Sequence, residues 1–276
     1  MARPKGLALA IIGGDDQAVP RLHAPKAGWS RASALDWLIR QAETGADMLI
    51  GLDLSPTFPF VDQHAYFPGW DESPGDARAL WALVERISAS DPHLAATAFV
   101  NHGEARRYFR HGKGDTGDRF GSAGTGRLRA VERHQRLTRQ ATSASCFNLV
   151  GAAQVGKSSL TGMRLLHRLD GRIPVWPFDP VPDHGPLIVE IYTAIAARAA
   201  GVRGGSKIRD RKTLVAALAQ LGTPAPARLA GYDDHSTDAL VTAAWLRRAS
   251  RDPGLWRPAA LSEEIAAKEG WTFGVF

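Results

Sequence analysis

The sequence feature that most constrains the fold is the alternation of short apolar runs with stretches of helical periodicity. Met48–Leu54 and Leu187–Tyr192 are typical of buried strands. Lys212–Leu221 and Asp238–Arg248 show helical spacing, and Ser33–Asp36 is typical of a capping box in front of another helix. Because strands and helices alternate in this way, we expect a three-layer α/β fold. The chain has 276 residues, 44% of them hydrophobic, so a single domain over residues 1–276 can bury a sizeable core.

The composition excludes several classes of protein. No apolar run approaches the roughly 20 residues that a membrane-spanning helix needs, so we expect no membrane partner. The one cysteine, Cys146, excludes an internal disulfide framework and a multi-cysteine metal site. The nine histidines lack the i, i+4 pairs of a zinc helix. We therefore expect a cytoplasmic protein whose chemistry rests on other side chains.

Two of the apolar runs contain an acidic residue. Asp53 lies near the carboxyl end of the first run, and Glu190 lies inside the second. An ionised carboxylate in a buried strand is costly unless it is paired, hydrogen-bonded or bound to a cation. Asp238 opens an amphipathic helix with Asp234 before it, so a third carboxylate could lie nearby. We expect Asp53, Glu190, Asp234 and Asp238 to bind Mg²⁺ or Mn²⁺. Asp53, Glu190 and Asp238 would be the catalytic residues of phosphodiester hydrolysis.

Each of these acids also has a simpler interpretation. Glu190 could pair with an arginine, and Asp53 could cap the proline-containing turn that follows it. Asp238 could be a helix-start acid that the helix dipole favours. The sequence leaves these alternatives open.

The positive charge is concentrated in one segment. The net charge of the chain is +6, and residues 101–140 contain ten basic residues against four acidic ones. The basic residues are Arg106, Arg107, Arg110, Lys113, Arg119, Arg127, Arg129, Arg133, Arg136 and Arg139. Gly112–Gly126 lacks apolar periodicity and is typical of a mobile loop. With Tyr108 and Phe120 among the arginines, the segment could bind nucleic acid or another phosphoester polyanion. The alternative is a solvated insertion.

A further motif, Gly151-Ala-Ala-Gln-Val-Gly156-Lys157-Ser158, matches the phosphate-binding pattern G-x-x-x-x-G-K-S. In such a loop Gly151 and Gly156 let backbone N–H groups surround phosphates. Lys157 would reach the β/γ oxygens, and Ser158 would hold Mg²⁺. The context argues against this interpretation, because the run in front of it, Cys146–Val150, is short and follows polar residues. A nucleotide-binding protein or NTPase is therefore the alternative to a hydrolase of phosphodiesters.

The acid-bearing segments resemble a family of uncharacterised bacterial proteins predicted to be RNase H-like nucleases. The resemblance covers roughly residues 30–274. It is carried by Ile50–Pro59, Val155–Gly162, Leu187–Tyr192, Lys207–Asp210, Asp234–Ala244 and Glu269–Gly274. The resemblance implies a mixed sheet flanked by helices. Asp53 matches the acid of the fourth strand, Glu190 that of the following strand and Asp238 that of the final helix. In that family Val155–Gly162 corresponds to a structural stretch that binds no nucleotide.

The chain departs from that family near its start. The family pattern places its first metal-binding aspartate in the middle of strand one, and no such residue is visible here. Leu7–Ile12 matches strand two, and Gly13–Asp16 matches the turn into strand three. We therefore expect an RNase H-like domain that lacks its first strand, by truncation or because the true start lies upstream. The missing acid would impair the nuclease. A non-catalytic scaffold that binds polyanions through residues 101–140 is the third possibility.

Overall fold

The computed structural model describes residues 7–121, 125–151, 155–203 and 206–276. The chain is a mixed α/β protein. Its internal contacts divide it into two compact units. The first unit combines the chain up to Ser33 with Tyr192–Pro258 and Phe276, and the second consists of Ala34–Ile191 and Ala259–Val275.

The secondary structure alternates as the sequence pattern predicts. The strands are β1 (Leu9–Ile11), β2 (Arg21–His23), β3 (Met48–Leu52), β4 (Arg110–Gly112), β5 (Asp115–Thr116), β6 (Val175–Trp176) and β7 (Pro186–Glu190). The α-helices are α1 (Arg31–Thr44), α2 (Ala77–Ile87), α3 (Thr97–Asn101), α4 (Ala130–Leu137), α5 (Val155–Leu169), α6 (Thr193–Ala199), α7 (Arg211–Gln220), α8 (Asp234–Ala249), α9 (Pro253–Trp256) and α10 (Glu263–Lys268). Short 3₁₀ turns occupy Pro92–Leu94 and Ala105–Tyr108.

The sheet of the second unit has three parallel strands in the order β3-β7-β6. β3 and β7 pair in a register that sets Leu52 opposite Glu190. The central strand β7 is buried over its whole length, which is why its sequence is a continuous apolar run until the final acid. β6 is a short edge strand between Pro174 and Pro177. An edge position suits a strand flanked by prolines, because proline has no N–H group to donate to a neighbouring strand.

Beside this sheet the second unit buries a cluster of aromatic side chains. Phe58, Phe67, Phe109 and Phe147 are all inaccessible to solvent. The Phe58 and Phe147 rings stack with their centroids 4.6 Å apart, and Phe109 meets Phe58 edge-on at 5.6 Å. Aromatic side chains bury large areas and pair in preferred geometries, so this cluster fixes the chain on either side of the basic segment.

The segment after α10 is anchored in the same unit by Glu269, which is fully buried. Its carboxylate accepts hydrogen bonds from the backbone N–H groups of Phe60 at 2.6 Å and Val61 at 2.8 Å, and from that of Ala130. These N–H groups supply the hydrogen bonds that a buried carboxylate needs. Glu269 thus joins three separate stretches of the chain.

In the first unit, β1 and β2 pair as an antiparallel hairpin, which confirms the hairpin predicted from the sequence. Helix α8 buries the apolar face that its periodicity predicts, including Leu240 and Ala244. The residue that caps α8 is Asp233. Asp233 accepts a hydrogen bond from the backbone N–H of Ser236 at 3.0 Å, while Asp234 is the first helical residue.

The structure confirms the α/β class, whereas the RNase H-like arrangement stays a prediction. The short apolar run Phe147–Val150 forms no strand and only an isolated bridge at Asn148. The reason is local. Arg110 N–H donates to the Phe147 carbonyl at 3.0 Å and Leu149 N–H donates to the Arg110 carbonyl at 3.1 Å, so this stretch pairs with Arg110 outside the main sheet.

Other predictions fall partly on residues outside the described ranges. The loop predicted over Gly112–Gly126 begins with the β4–β5 hairpin, and its residues 122–124 lie outside them. The prediction of a missing first strand concerns the chain before Leu7, which also lies outside them. Across the described part of the chain, no helix has the length and apolar character that crossing a bilayer requires.

Candidate functional site

Glu190 ends the central strand β7 and is 6% exposed. Both of its carboxylate oxygens are bonded to Arg129, with Oε1 2.6 Å from Nη2 and Oε2 2.8 Å from Nη1. The Thr272 hydroxyl donates to Oε1 at 2.7 Å. A bidentate guanidinium is a strong partner for a carboxylate, so Arg129 accounts for the burial of this acid.

Arg129 is itself fully buried and serves a second carboxylate. Its Nε donates to Glu132 at 2.7 Å, and its backbone N–H donates to the other oxygen of Glu132 at 2.6 Å. Burial alone would lower the pKa of Arg129, but the charges of Glu132 and Glu190 outweigh it and hold that pKa well above its ordinary value. Burial raises the pKa of Glu132, and the charge of Arg129 offsets this rise only in part. One guanidinium is therefore shared by two buried acids.

This arrangement does not fit a magnesium or manganese site at Glu190. A divalent ion would have to displace Arg129, whose charge repels it and whose nitrogen atoms already bond both oxygens. Within residues 7–121, 125–151, 155–203 and 206–276, no group of three or more His, Cys, Asp or Glu side chains could hold a metal ion. The structure thus favours the simpler interpretation of Glu190, pairing with an arginine.

Asp53 is the residue immediately after β3. Because Leu52 lies opposite Glu190, Asp53 and Glu190 belong to the same ends of neighbouring parallel strands, as the sequence predicts. The prediction that Asp53 is buried is wrong, because this residue is exposed. The chain bends there, with Leu54 N–H donating to the Leu52 carbonyl at 3.0 Å, so Asp53 avoids the cost of a buried charge.

Asp234 and Asp238 lie in the first unit, at the start of α8. Lys207 Nζ is 3.3 Å from Asp238 and 3.8 Å from Asp234, and the Arg209 guanidinium forms an ion pair with Asp234. Cations of the same unit therefore neutralise both acids. Asp234 lies in the first turn of α8, where the helix dipole favours a carboxylate. Asp238 is the fifth residue of the helix, so its interpretation as a helix-start acid is wrong.

The phosphate-loop motif lies partly outside the described ranges, since residues 152–154 do. Helix α5 begins at Val155, and Gly156 N–H donates to the Asn148 carbonyl at 3.0 Å. The Ser158 hydroxyl donates to the Val155 carbonyl at 2.8 Å, and Lys157 is exposed. At Gly156 and Ser158 the donors that a phosphate loop turns toward its ligand thus bond to the chain itself. Glycine at 156 has a packing reason, because a Cβ would lie 2.5 Å from the Cys146 carbonyl oxygen.

The basic segment separates into buried and surface cations. Arg127 and Arg129 are buried, and the other eight basic residues reach the surface. Two surface cations are paired with acids: Arg106 with Asp115, and Arg107 with Asp118 and Glu104. Among the described residues, five surface cations have no acidic partner: Arg110, Lys113, Arg119, Arg133 and Arg136.

Three of these five are fixed by backbone oxygen atoms. Arg119 donates to the Pro68 carbonyl at 2.9 Å, Arg133 to the Leu128 carbonyl at 2.5 Å, and Arg136 to the Ser143 carbonyl at 2.6 Å. A carbonyl oxygen carries no net charge, so it holds a guanidinium in place without neutralising the positive charge.

A cavity of about 610 Å³ opens beside Arg119. Tyr108, Asp118 and Arg127 line it from the basic segment, and Gln63 and Pro68 line it from an earlier stretch of the chain. The sequence marks the arginines but contains no signal for Gln63 or Pro68, because only the fold brings those residues to the segment.

No family model matches the sequence, and no curated protein or solved structure is significantly similar to it. The resemblance to RNase H-like nucleases stays a prediction of the sequence.

Proposed function

We propose that the chain binds a phosphate-bearing polyanion, such as single-stranded nucleic acid, through the surface cations of residues 101–140. The observation that carries this proposal is the charge balance of the segment. Eight basic residues reach its surface, against the three surface acids Glu104, Asp115 and Asp118. The fourth acid, Glu132, is buried against Arg129 and contributes nothing to the surface balance.

The geometry of the cations suits binding to a phosphate backbone. A guanidinium that is anchored at a carbonyl oxygen has lost part of its freedom, so less ordering accompanies binding. Each contact between a cation and a phosphate releases condensed counterions from the strand. If all five cations without an acidic partner made such contacts, log K would fall with log salt at a slope of about −3 to −5.

Metal-dependent hydrolysis of phosphodiesters, the activity that the resemblance implies, has less support. One observation favours it: Asp53 and Glu190 end neighbouring parallel strands at one edge of the sheet. The pairing of Glu190 with Arg129 opposes it. We therefore place binding before hydrolysis.

The test is fluorescence anisotropy with a 5′-hydroxyl single strand of about 20 nucleotides, from roughly 50 to 300 mM salt. We expect wild-type binding with a steep salt slope. The variant Arg133→Gln/Arg136→Gln should bind more weakly, with the slope reduced by about 1 to 2 units.

The matched control is Arg86→Gln, which removes a surface charge from an exposed ion pair with Glu72 outside the segment. Wild-type binding that does not respond to salt would refute the proposal, and so would an equal loss in Arg86→Gln. Adding magnesium or manganese to the same samples tests strand cleavage directly. Asp53→Asn is the comparison variant.

A further inference from the structure

The cavity beside Arg119 combines a fixed cation with polar groups of defined position. Nη1 of Arg119 donates to the Pro68 carbonyl at 2.9 Å and lies 2.8 Å from the Tyr108 hydroxyl oxygen. The guanidinium also lies over the Tyr108 ring, 5.8 Å from its centroid. Nε and Nη2 of Arg119 donate to none of the described residues. One nitrogen thus positions the group, and the other two keep their donors for a ligand.

Gly69 explains how the guanidinium comes so close to the backbone. A Cβ at position 69 would lie 2.8 Å from Arg119 Nη1 and 3.2 Å from Nη2. Gly69 also has φ +80°, a conformation that strains any residue with a Cβ. The turn at residue 69 is therefore built so that Arg119 can pack flat against it.

Arg119 differs from the other charged side chains around the cavity, which form ion pairs. Arg127 is neutralised by Asp62, at 2.6 and 3.0 Å. Asp118 is paired with Arg107 at 2.7 Å, and the hydrogen bond from Arg107 lowers the pKa of Asp118, which keeps it an ionised acceptor. Arg119 has no acidic partner among the described residues. An anionic group is therefore expected at Arg119, and a group with N–H or O–H donors at Asp118.

The volume sets the size of the ligand. The cavity is open to solvent, and its volume of about 610 Å³ greatly exceeds that of a phosphate ion, so a bound phosphate alone would leave most of it to water. The Tyr108 ring carries Arg119 on one side and meets Phe67 edge-on, so it is not a platform on which a base can stack. Recognition here has to be polar, and Gln63 and Asp118 supply the acceptors and donors for it.

We propose that this cavity binds a nucleoside phosphate monoester, with its phosphate on Arg119 and its nucleoside edge on Asp118 and Gln63. Two sources share this chemistry: a free mononucleotide, and the 5′-phosphorylated end of a strand. The site shares Arg119 with the polyanion surface proposed above, but it requires none of the other four cations of that surface.

The test is calorimetric titration with AMP and adenosine. Wild-type protein should bind AMP at least about tenfold more tightly than adenosine, because the charge-assisted hydrogen bonds belong to the phosphate. Arg119→Met should remove that difference. Arg119→Lys should restore only part of it, because an ammonium lacks the planar fork. Arg86→Met, which removes an exposed guanidinium outside the basic segment, should leave AMP binding unchanged.

Strands of one sequence with 5′-phosphate or 5′-hydroxyl ends distinguish the two sources. Tighter binding of the phosphorylated strand, lost in Arg119→Met, identifies the strand end. Equal binding of the two strands, together with Arg119-dependent AMP binding, identifies the free mononucleotide. The binding of the 5′-hydroxyl strand by Arg133→Gln/Arg136→Gln tests the polyanion surface and not the cavity beside Arg119.

A measurement on wild-type protein covers the case in which the variants fail to fold. AMP should shift the side-chain Nε–H resonance of Arg119 in ¹⁵N spectra, and adenosine should not. The proposal is overturned if AMP binds no better than adenosine, or if Arg119→Met keeps wild-type affinity for AMP.

Discussion

Replacing Arg129 by methionine tests most directly whether this arginine compensates the charges of the buried acids. Arg129 is fully buried, and it is the cation that compensates Glu190, 6% exposed, and Glu132, 4% exposed. Removing one partner of a buried ion pair costs about 3–5 kcal/mol, because an uncompensated charge stays in the interior. Since two carboxylates lose their partner here, we expect a loss near the upper end, about 5 kcal/mol. Whole domains are stable by only about 5–15 kcal/mol, so this variant should be close to unfolding.

The assay is urea denaturation followed by tryptophan fluorescence. The control is Arg136→Met, an exposed guanidinium bonded to a carbonyl, which should change stability by less than about 1 kcal/mol. The triple variant Arg129→Met/Glu132→Gln/Glu190→Gln should recover much of the loss, because its buried groups carry no charge. The reasoning fails if Arg129→Met costs less than about 1 kcal/mol, or if the triple variant is no more stable than the single one.

Two further predictions concern other buried or half-buried acids. Glu269→Ala takes the acceptor from three backbone N–H groups, so it should lower the free energy of unfolding by at least about 3 kcal/mol in urea denaturation; a loss below about 1 kcal/mol would contradict this. Burial alone would raise the pKa of Glu85, but hydrogen bonds from Arg164 and Arg168 outweigh it and lower that pKa below its ordinary value of 4.5. A lowered pKa stabilises the fold above pH 4.5, and this contribution disappears as the pH falls through the folded-state value. Glu85→Gln should therefore be less stable than wild type by about 1–2 kcal/mol near pH 7, and the deficit should shrink below pH 4.5; a deficit that does not vary with pH would be incompatible with it.

Local signals predicted much of the secondary structure. The β1–β2 hairpin follows from turn residues between two apolar runs, and the cap of α7 from Asp210, which accepts from Thr213 N–H at 2.8 Å. Such features depend on residues within a few positions of each other, which the sequence displays. Phe147–Val150 shows the limit of this approach. Its strand pattern is genuine, but the backbone of Arg110 pairs with it in place of the main sheet, and no short-range pattern reveals such a partner.

The candidate site was harder to predict for the same reason. The burial of Glu190 indicated that it needs a positive partner, but not whether that partner is a metal ion or an arginine. Arg129 lies 61 residues away and is one of ten basic residues in its segment. The cavity depends on a contact of similar range, since Arg119 and Pro68 are 51 residues apart. The types of side chain were readable from the sequence, whereas their pairings depended on the fold.

The arginines of residues 101–140 therefore divide by burial into two chemical roles. Arg127 and Arg129 face inward, and they bind acids from other parts of the chain, the exposed Asp62 and the buried Glu190. Of the surface cations, Arg106 and Arg107 are paired with acids of the segment, and five others have no acidic partner among the described residues. The net charge of +6 in this segment is therefore not the charge that a ligand meets at its surface. Two of the ten cations are inaccessible, but the buried Glu132 no longer opposes the eight that remain at the surface. Substitutions at inner arginines should thus alter the free energy of unfolding, and substitutions at outer arginines the salt dependence of binding.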